Sequence, residues 1–247
     1  VGGVDEGRPL GADDVAALLA AGEPVEDADL TGLDLRALLA DHRDPVLRRC
    51  SATEPDLHGA DLTGMTLDAC RFPGADLRGA TLDSARVRRG SLVGAELVDA
   101  DLTDAVFEAT DLSRIRLTGA LLTETRFTDC RMIGADLSGL RGLAVTYRLD
   151  GSNLGLANLQ DVAWRAVTLR GLDLSEADLR GADLRDATLL DCTLRDVDLA
   201  HTRLAGADLR GADLGELTED APRTLRGAIV SEAQAADVCR ALGLVVS

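Results

Sequence analysis

The chain has 247 residues, with 43 acids against 26 bases, a net charge of −17 and five cysteines. Every base is an arginine, and only Phe72, Phe107, Phe127, Tyr147 and Trp164 are aromatic, so a core of ordinary size has to be made of Leu, Ala and Val. The charge disfavours direct binding to nucleic acid or to an anionic membrane, and no apolar run is long enough to span a bilayer.

No secretory signal opens the chain at Val1, so the expected location is cytoplasmic. Residues 12–21 read as a helix with Val15, Leu18 and Leu19 on one face, ended by Gly22 and then Pro24. Two five-residue units follow at 28–32 and 33–37, and a short helical stretch over 36–42 interrupts them. Residues 1–56 are therefore assigned to an N-terminal cap with the first irregular repeats.

From Leu57 to Leu137 every fifth residue is apolar, and from Leu154 to Leu214 the same holds, with Leu at nearly every station and Trp164 among them. Two residues before each station sits a small side chain, most often Ala, as at Ala60, Ala75, Ala177 and Ala207. Apolar positions spaced two and then three apart fit neither a helix nor a long strand. Each unit reads instead as a short extended piece with two inward side chains, followed by a bend at the Gly-rich place two after the centre, as at Gly59, Gly79 and Gly211. Between the tracts Tyr147 and Leu154 are seven residues apart, which places a register break near 148–153 and a small protrusion over 141–152.

At the C-terminal end Ser231 and Gln234 have the spacing of a capping box, and Ala235, Val238, Cys239 and Leu242 follow at helical intervals before Gly243. The repeat region is thus 57–217 and the C-terminal cap 218–247. Both caps are expected to cover open strand edges. The apolar Leu244, Val245 and Val246 are expected to pack on the helix or to join a homodimer.

Runs such as Ala75-Asp76-Leu77-Arg78-Gly79 and Ala207-Asp208-Leu209-Arg210-Gly211 resemble the pentapeptide repeat family. The resemblance implies an all-β solenoid, a right-handed quadrilateral β-helix with four units per coil and short capping helices. Stations 20 residues apart would then stack, with Phe107, Phe127 and Tyr147 forming one aromatic column. The family includes members that act on topoisomerases, some through projecting loops, which makes Arg148 and Asp150 candidate loop contacts.

No catalytic, cofactor-binding or metal-binding constellation is legible: the cysteines lack metal spacing and the three histidines are scattered. Cys70, Cys130 and Cys192 occupy the small inward place, three coils (about 14 Å) apart, beyond the roughly 7 Å a disulfide spans, and are expected to be free core thiols.

Charge is the informative remainder. On the four-unit coil the places just before the centres line up as Asp56, Asp76, Glu96, Arg116, Asp136, Asn158, Asp178 and Asp198, a column of six acids in eight. The next face adds Asp61, Asp101 and Asp183, flanked by Asp104, Glu124 and Asp186, and the face after it is rich in arginine: Arg86, Arg88, Arg89, Arg126, Arg148, Arg170 and Arg210. The expected function is a non-catalytic, DNA-mimicking protein that binds a type II topoisomerase such as DNA gyrase through the six acids and protects it from a poison or antibiotic. The alternatives are a non-catalytic scaffold presenting this surface to another protein and, third, an enzyme, for which no site can be assembled.

Overall fold

The computed structural model describes residues 8–142 and 145–246; positions 143 and 144 of the expected protrusion, residues 1–7 and residue 247 lie outside the described residues. In chain order, β1 (Arg8–Pro9), α1 (Ala12–Ala20), β2 (Val25–Glu26), β3 (Ala28–Asp29) and α2 (Leu35–Leu39) are followed by strands that recur once per coil. These are β4 (Val46–Arg48), β5 (Thr66–Asp68), β6 (Arg86–Arg88), β7 (Val106–Glu108), β8 (Arg126–Thr128), β9 (Arg148–Asp150), β10 (Thr168–Arg170), β11 (Thr188–Thr193) and β12 (Asp208–Asp213). Helices α3 (Ala221–Thr224) and α4 (Glu232–Ala241) close the chain.

The strands stack as a seven-stranded ladder, β2 and β4–β9, and a three-stranded ladder, β10–β12, all parallel. Leu47 pairs with Leu67, Leu67 with Val87 and Val87 with Phe107, so one coil consumes four five-residue units. The other three sides repeat at the same interval as single bridges, for example Ser51 with Arg71, Asp56 with Asp76 and Asp61 with Thr81. The protein is a four-sided parallel β-solenoid, as the repeat implies.

The local chemistry accounts for each place in the unit. Every station of the two tracts is buried except Leu199 and Leu214 near the C-terminal end, which are half-buried. The Ala two places earlier is buried as well, because each extended piece turns both side chains inward and only a small one fits beside the corner. The residue two after the centre adopts positive φ at corner after corner, with Gly59 at 62° and Gly79 at 63°, but also Asp99 at 59° and Leu156 at 60°. Asp tolerates this left-handed conformation better than most residues, whereas Leu does so at a cost of about 1–2 kcal/mol. Leu156 is also 57% exposed, so its side chain contributes little burial. Leu156→Gly is therefore expected to raise the unfolding free energy by about 0.5–1 kcal/mol, measured by denaturant titration.

The structure moves the register break. Leu121 still bridges Arg141 at the normal interval, whereas Arg126 pairs with Arg148, Phe127 with Leu149 and Arg131 with Asn153, each two residues longer. The two extra residues therefore lie between 141 and 148, not at 148–153. Leu149, not Tyr147, stacks on Phe127, so the aromatic column stops at the Phe107–Phe127 pair, whose rings are 5.0 Å apart and tilted by 11°. Tyr147 turns instead to Trp164, whose Nε1 donates to its hydroxyl at 2.8 Å.

The solenoid also begins earlier than residue 57. Val25 pairs with Leu47, and Leu30, Leu47 and Ala52 are buried in the same core, so 25–56 are coil and α1, with Val15 and Leu19 buried, is the cap proper. The second helix is Leu35–Leu39 rather than 36–42, because the Asp34 carboxylate accepts the Ala37 N–H and starts it one residue sooner.

At the far end the capping box forms as expected, and Gln234 also ties the helix to the last coil, where its Nε2 donates to the carbonyls of Leu209 and Ala212, both at 2.8 Å. Gln234→Ala leaves those carbonyls without that donor and is expected to lower stability by about 1–3 kcal/mol in chemical denaturation. The helix does not bury its apolar face as the sequence led us to expect. Val238 is half-buried, Ala235 is exposed, and Leu242, Leu244 and Val245 are 49%, 57% and 97% exposed, because α4 touches the solenoid mainly through its N-terminal turn.

Candidate functional site

The side of the solenoid that carries the acidic column is built from single bridges: Asp56–Asp76, Asp76–Glu96, Glu96–Arg116, Arg116–Asp136, Asp136–Asn158, Asn158–Asp178 and Asp178–Asp198. The column keeps its alignment across the insertion, because the two extra residues are absorbed between the Arg141 side and the Arg148 side, before the chain returns to this side at Asn158. At about 4.8 Å per coil the row is roughly 34 Å long.

Each Asp in the row has a local reason to be there. Its Oδ1 accepts the backbone N–H two residues on, as Asp56 does from His58, Asp76 from Arg78, Asp136 from Ser138, Asp178 from Arg180 and Asp198 from Ala200. The carboxylate thus closes the corner that follows the centre. Its second oxygen remains available to a partner or to a neighbouring side chain.

Arginine takes up much of that availability. Arg78 pairs with Asp76 at 2.5 Å, Arg116 with Glu96 at 3.1 Å, and Arg180 with Asp178 at 2.6 Å and Asp198 at 3.5 Å. The guanidinium of Arg78 holds the Asp76 carboxyl below its usual range, and that of Arg180, aided by Gln160, brings Asp178 down to about 2. Three arginines are thus interleaved with the six acids. Asp56 and Asp136 are the members that form no ion pair among the described residues. The sequence pattern of acids alone does not reveal the arginine contribution, although its signal is plain: an Ala-Asp-Leu-Arg unit puts the arginine two residues after the acid, on the same side.

On the adjacent side Asp61 and Asp101 share a column with Thr81, Leu121 and Arg141, so its acids are diluted. Asp183 is held at about 2, chiefly by its hydrogen bond with Arg185 and further by Arg203. On the arginine-rich side Arg88 pairs with Glu108 at 2.9 Å, Arg89 with Asp68 at 2.6 Å and Arg210 with Asp208 at 2.6 Å. Arg86, Arg126, Arg148 and Arg170 form no ion pair among the described residues.

Arg148 and Asp150, expected on a projecting loop, belong instead to β9, in register with Arg126 and Thr128 of β8. Extended backbone resumes immediately after the insertion, so these side chains lie on the flat side of the solenoid. They border a groove of about 440 Å³ between β9 and β10, together with Glu124, Thr168 and Arg170, where one ladder ends and the next begins. Among the described residues no group of His, Cys, Asp and Glu side chains could hold a metal ion, and no helix is long and apolar enough to cross a membrane.

Comparison with known proteins agrees with this geometry. The sequence matches the family described as pentapeptide repeats, in 8 copies, over residues 100–139, 148–186 and 177–215. The gap between the first two matches coincides with the register break. Among solved structures the chain is similar to a trypsin-treated QnrB1, a plasmid-mediated fluoroquinolone resistance protein, with a TM-score of 0.70, 22% identity, and coverage of 80% of this chain and 97% of that one. It is also similar to HetL, a pentapeptide repeat protein involved in heterocyst differentiation regulation from the cyanobacterium Nostoc sp. strain PCC 7120, with a TM-score of 0.62, 29% identity, and coverage of 83% and 96%. Full-length QnrB1 superimposes with a TM-score of 0.56 at 22% identity, covering 78% of this chain and 100% of that one. No curated protein gives a sequence match. Residues 100–139 and 148–215 thus carry pentapeptide repeats, and the four-sided coil they build is the fold of the pentapeptide repeat proteins to which the chain is similar.

Proposed function

We propose that the chain is a non-catalytic, cytoplasmic binding protein that presents its acidic column to the DNA-gripping surface of a type II topoisomerase such as DNA gyrase and protects the enzyme from a poison. The observation that carries this reading is the column Asp56, Asp76, Glu96, Asp136, Asp178 and Asp198, six acids in eight places on one side of an already ordered rod. A basic saddle that grips duplex DNA recognises a row of phosphates largely by charge, and a rigid row of carboxylates occupies it with little ordering cost. The fold shared with QnrB1 supports the reading. The test is a gyrase supercoiling assay with and without a fluoroquinolone. Relief of the drug at low salt is expected, and absence of both binding and relief would overturn the proposal.

A second reading, a scaffold presenting this surface to a different protein partner, is favoured by one observation: Arg78, Arg116 and Arg180 neutralise part of the row, leaving it far below the charge density of DNA, about one charge per 1.7 Å. The likeness to HetL is compatible with it.

In either reading the protein works as a homodimer joined through its C-terminal segment. Among the described residues Ile229, Leu242, Leu244, Val245 and Val246 are five of the six large exposed apolar side chains, and all five lie at that end. Truncation before Ala228 is expected to abolish the dimer in sedimentation velocity and also to bare the last rung, where Ile229 now bridges Asp208. An unchanged mass-corrected sedimentation coefficient would show that the segment serves neither purpose.

A further inference from the structure

Because the solenoid already runs through residues 25–56, Cys50 is not in a cap: it sits in the coil one rung below Cys70. The pairings of Arg48 with Asp68 and of Ser51 with Arg71 bracket the two cysteines, and the Arg71 N–H donates to the Cys50 carbonyl at 2.9 Å. Adjacent rungs put Cα atoms about 4.8 Å apart, inside the window of roughly 4.4–6.8 Å in which disulfides form. Both side chains point inward, 1% and 3% exposed, and both are free thiols, with Cys50 Sγ donating to the Val25 carbonyl and Cys70 Sγ to that of Leu47, each at 3.3 Å.

No other cysteine of the solenoid is placed this way. Cys130 has Thr110 below it and Ser152 above, the latter accepting its N–H, and Cys192 has Leu172 below. The contact between the two thiols is asymmetric. The neighbouring thiol lowers Cys50 and raises Cys70, which burial raises further. Cys50 is thus the sulfur that ionises first.

We propose that Cys50 and Cys70 are a redox-modification site, forming a reversible disulfide that staples the coil leaving β4 to the coil leaving β5. The oxidant is a hydroperoxide, hydrogen peroxide in the simplest case, since a small neutral molecule is what can reach thiols this buried. The Cys50 thiolate attacks one peroxide oxygen, the O–O bond breaks, and the departing hydroxide is protonated to water, leaving a sulfenic acid. Cys70 Sγ then attacks the Cys50 sulfur and displaces hydroxide, which takes the Cys70 proton and leaves as a second water. Two thiols and one peroxide become one disulfide and two waters. The bridge closes a loop of one whole coil near the end at which a linear array frays, so it restricts local opening there.

Trypsin makes the test direct, because cleavage after Arg49 and Arg71 yields one peptide, residues 50–71, that holds both cysteines and no internal Lys or Arg. The native full-length chain is treated with hydrogen peroxide, unfolded in the presence of iodoacetamide, and digested. The expected result is a 50–71 peptide lighter by two hydrogens and unalkylated, with Cys130 and Cys192 alkylated; prior treatment with dithiothreitol should restore double alkylation. Oxidation should also slow native cleavage at Arg43 and Arg48, and Cys50→Ser should show no such peroxide-dependent slowing. A doubly alkylated peptide after peroxide, or one carrying sulfinic or sulfonic acid in place of the bridge, would overturn the proposal.

Discussion

Trp164→Ala is expected to lower the unfolding free energy by about 3–5 kcal/mol, the largest loss of any single truncation in this core. The ring is completely buried at an inward station, and its Nε1 is hydrogen-bonded to the Tyr147 hydroxyl. It also stands beside the joint between the two ladders. The coil below it carries the two-residue insertion, Gly142 takes the place of an apolar centre and is exposed, and Leu140, Val145 and Tyr147 pack against the core in its stead. A cavity of about 180 Å³ remains between Leu122, Leu137, Tyr147 and Val162. Burial has pushed the Tyr147 hydroxyl up to about 12, so it is neutral and able to accept from the indole.

Removing the indole therefore leaves a void where the ring was and deprives the Tyr147 hydroxyl of its donor. Trp164→Phe separates the two effects: it restores most of the packing and forfeits only the hydrogen bond, at about 1–3 kcal/mol. Because β9 and β10 do not pair and the coils interact only with their neighbours, Trp164→Ala is further expected to split urea unfolding into two transitions, one for each ladder. A single transition at the wild-type midpoint would show that the indole contributes nothing to the joint.

The stations were legible because a strict interval of five leaves no other regular structure with the right inward face. The break was misplaced for an equally physical reason. Counting by fives from Leu137 lands on Tyr147, an amphipathic ring that passes for a centre, whereas the two extra residues before Arg148 bring Leu149 onto Phe127. Cys50 was missed as a coil residue because its own unit is centred on Ala52, a side chain too small to stand out as a station. Helix α4 was legible from Ser231 and Gln234, but how far its apolar face is covered depends on the direction in which the helix leaves the last coil, and periodicity does not encode that. The acidic column follows from the interval alone; its partial neutralisation follows from side-chain reach, which a count of acids ignores.

The functional consequence of that neutralisation is measurable. Reversing Asp76, Glu96 and Asp136 to Lys removes three carboxylates from the middle of the row and sets three cations facing the same basic saddle. Gyrase affinity is expected to fall about a hundredfold or more, equivalent to about 3 kcal/mol, and the wild-type interaction to weaken steeply with salt. Asp76 and Asp136 each also accept a backbone N–H, so part of the loss in the triple variant would reflect loosened corners. Asp76→Asn with Asp136→Asn supplies the control: the amide oxygen keeps the corner closed while the charge is gone, and binding should still drop. Arg86→Glu with Arg126→Glu changes the opposite sign on the other side, at arginines that hold no ion pair among the described residues, and should leave gyrase binding nearly unchanged. Folding of all three variants is followed by circular dichroism and thermal unfolding. If the acidic and basic variants bound gyrase equally well, charge on this column would not be what the enzyme recognises, and the scaffold reading would replace mimicry.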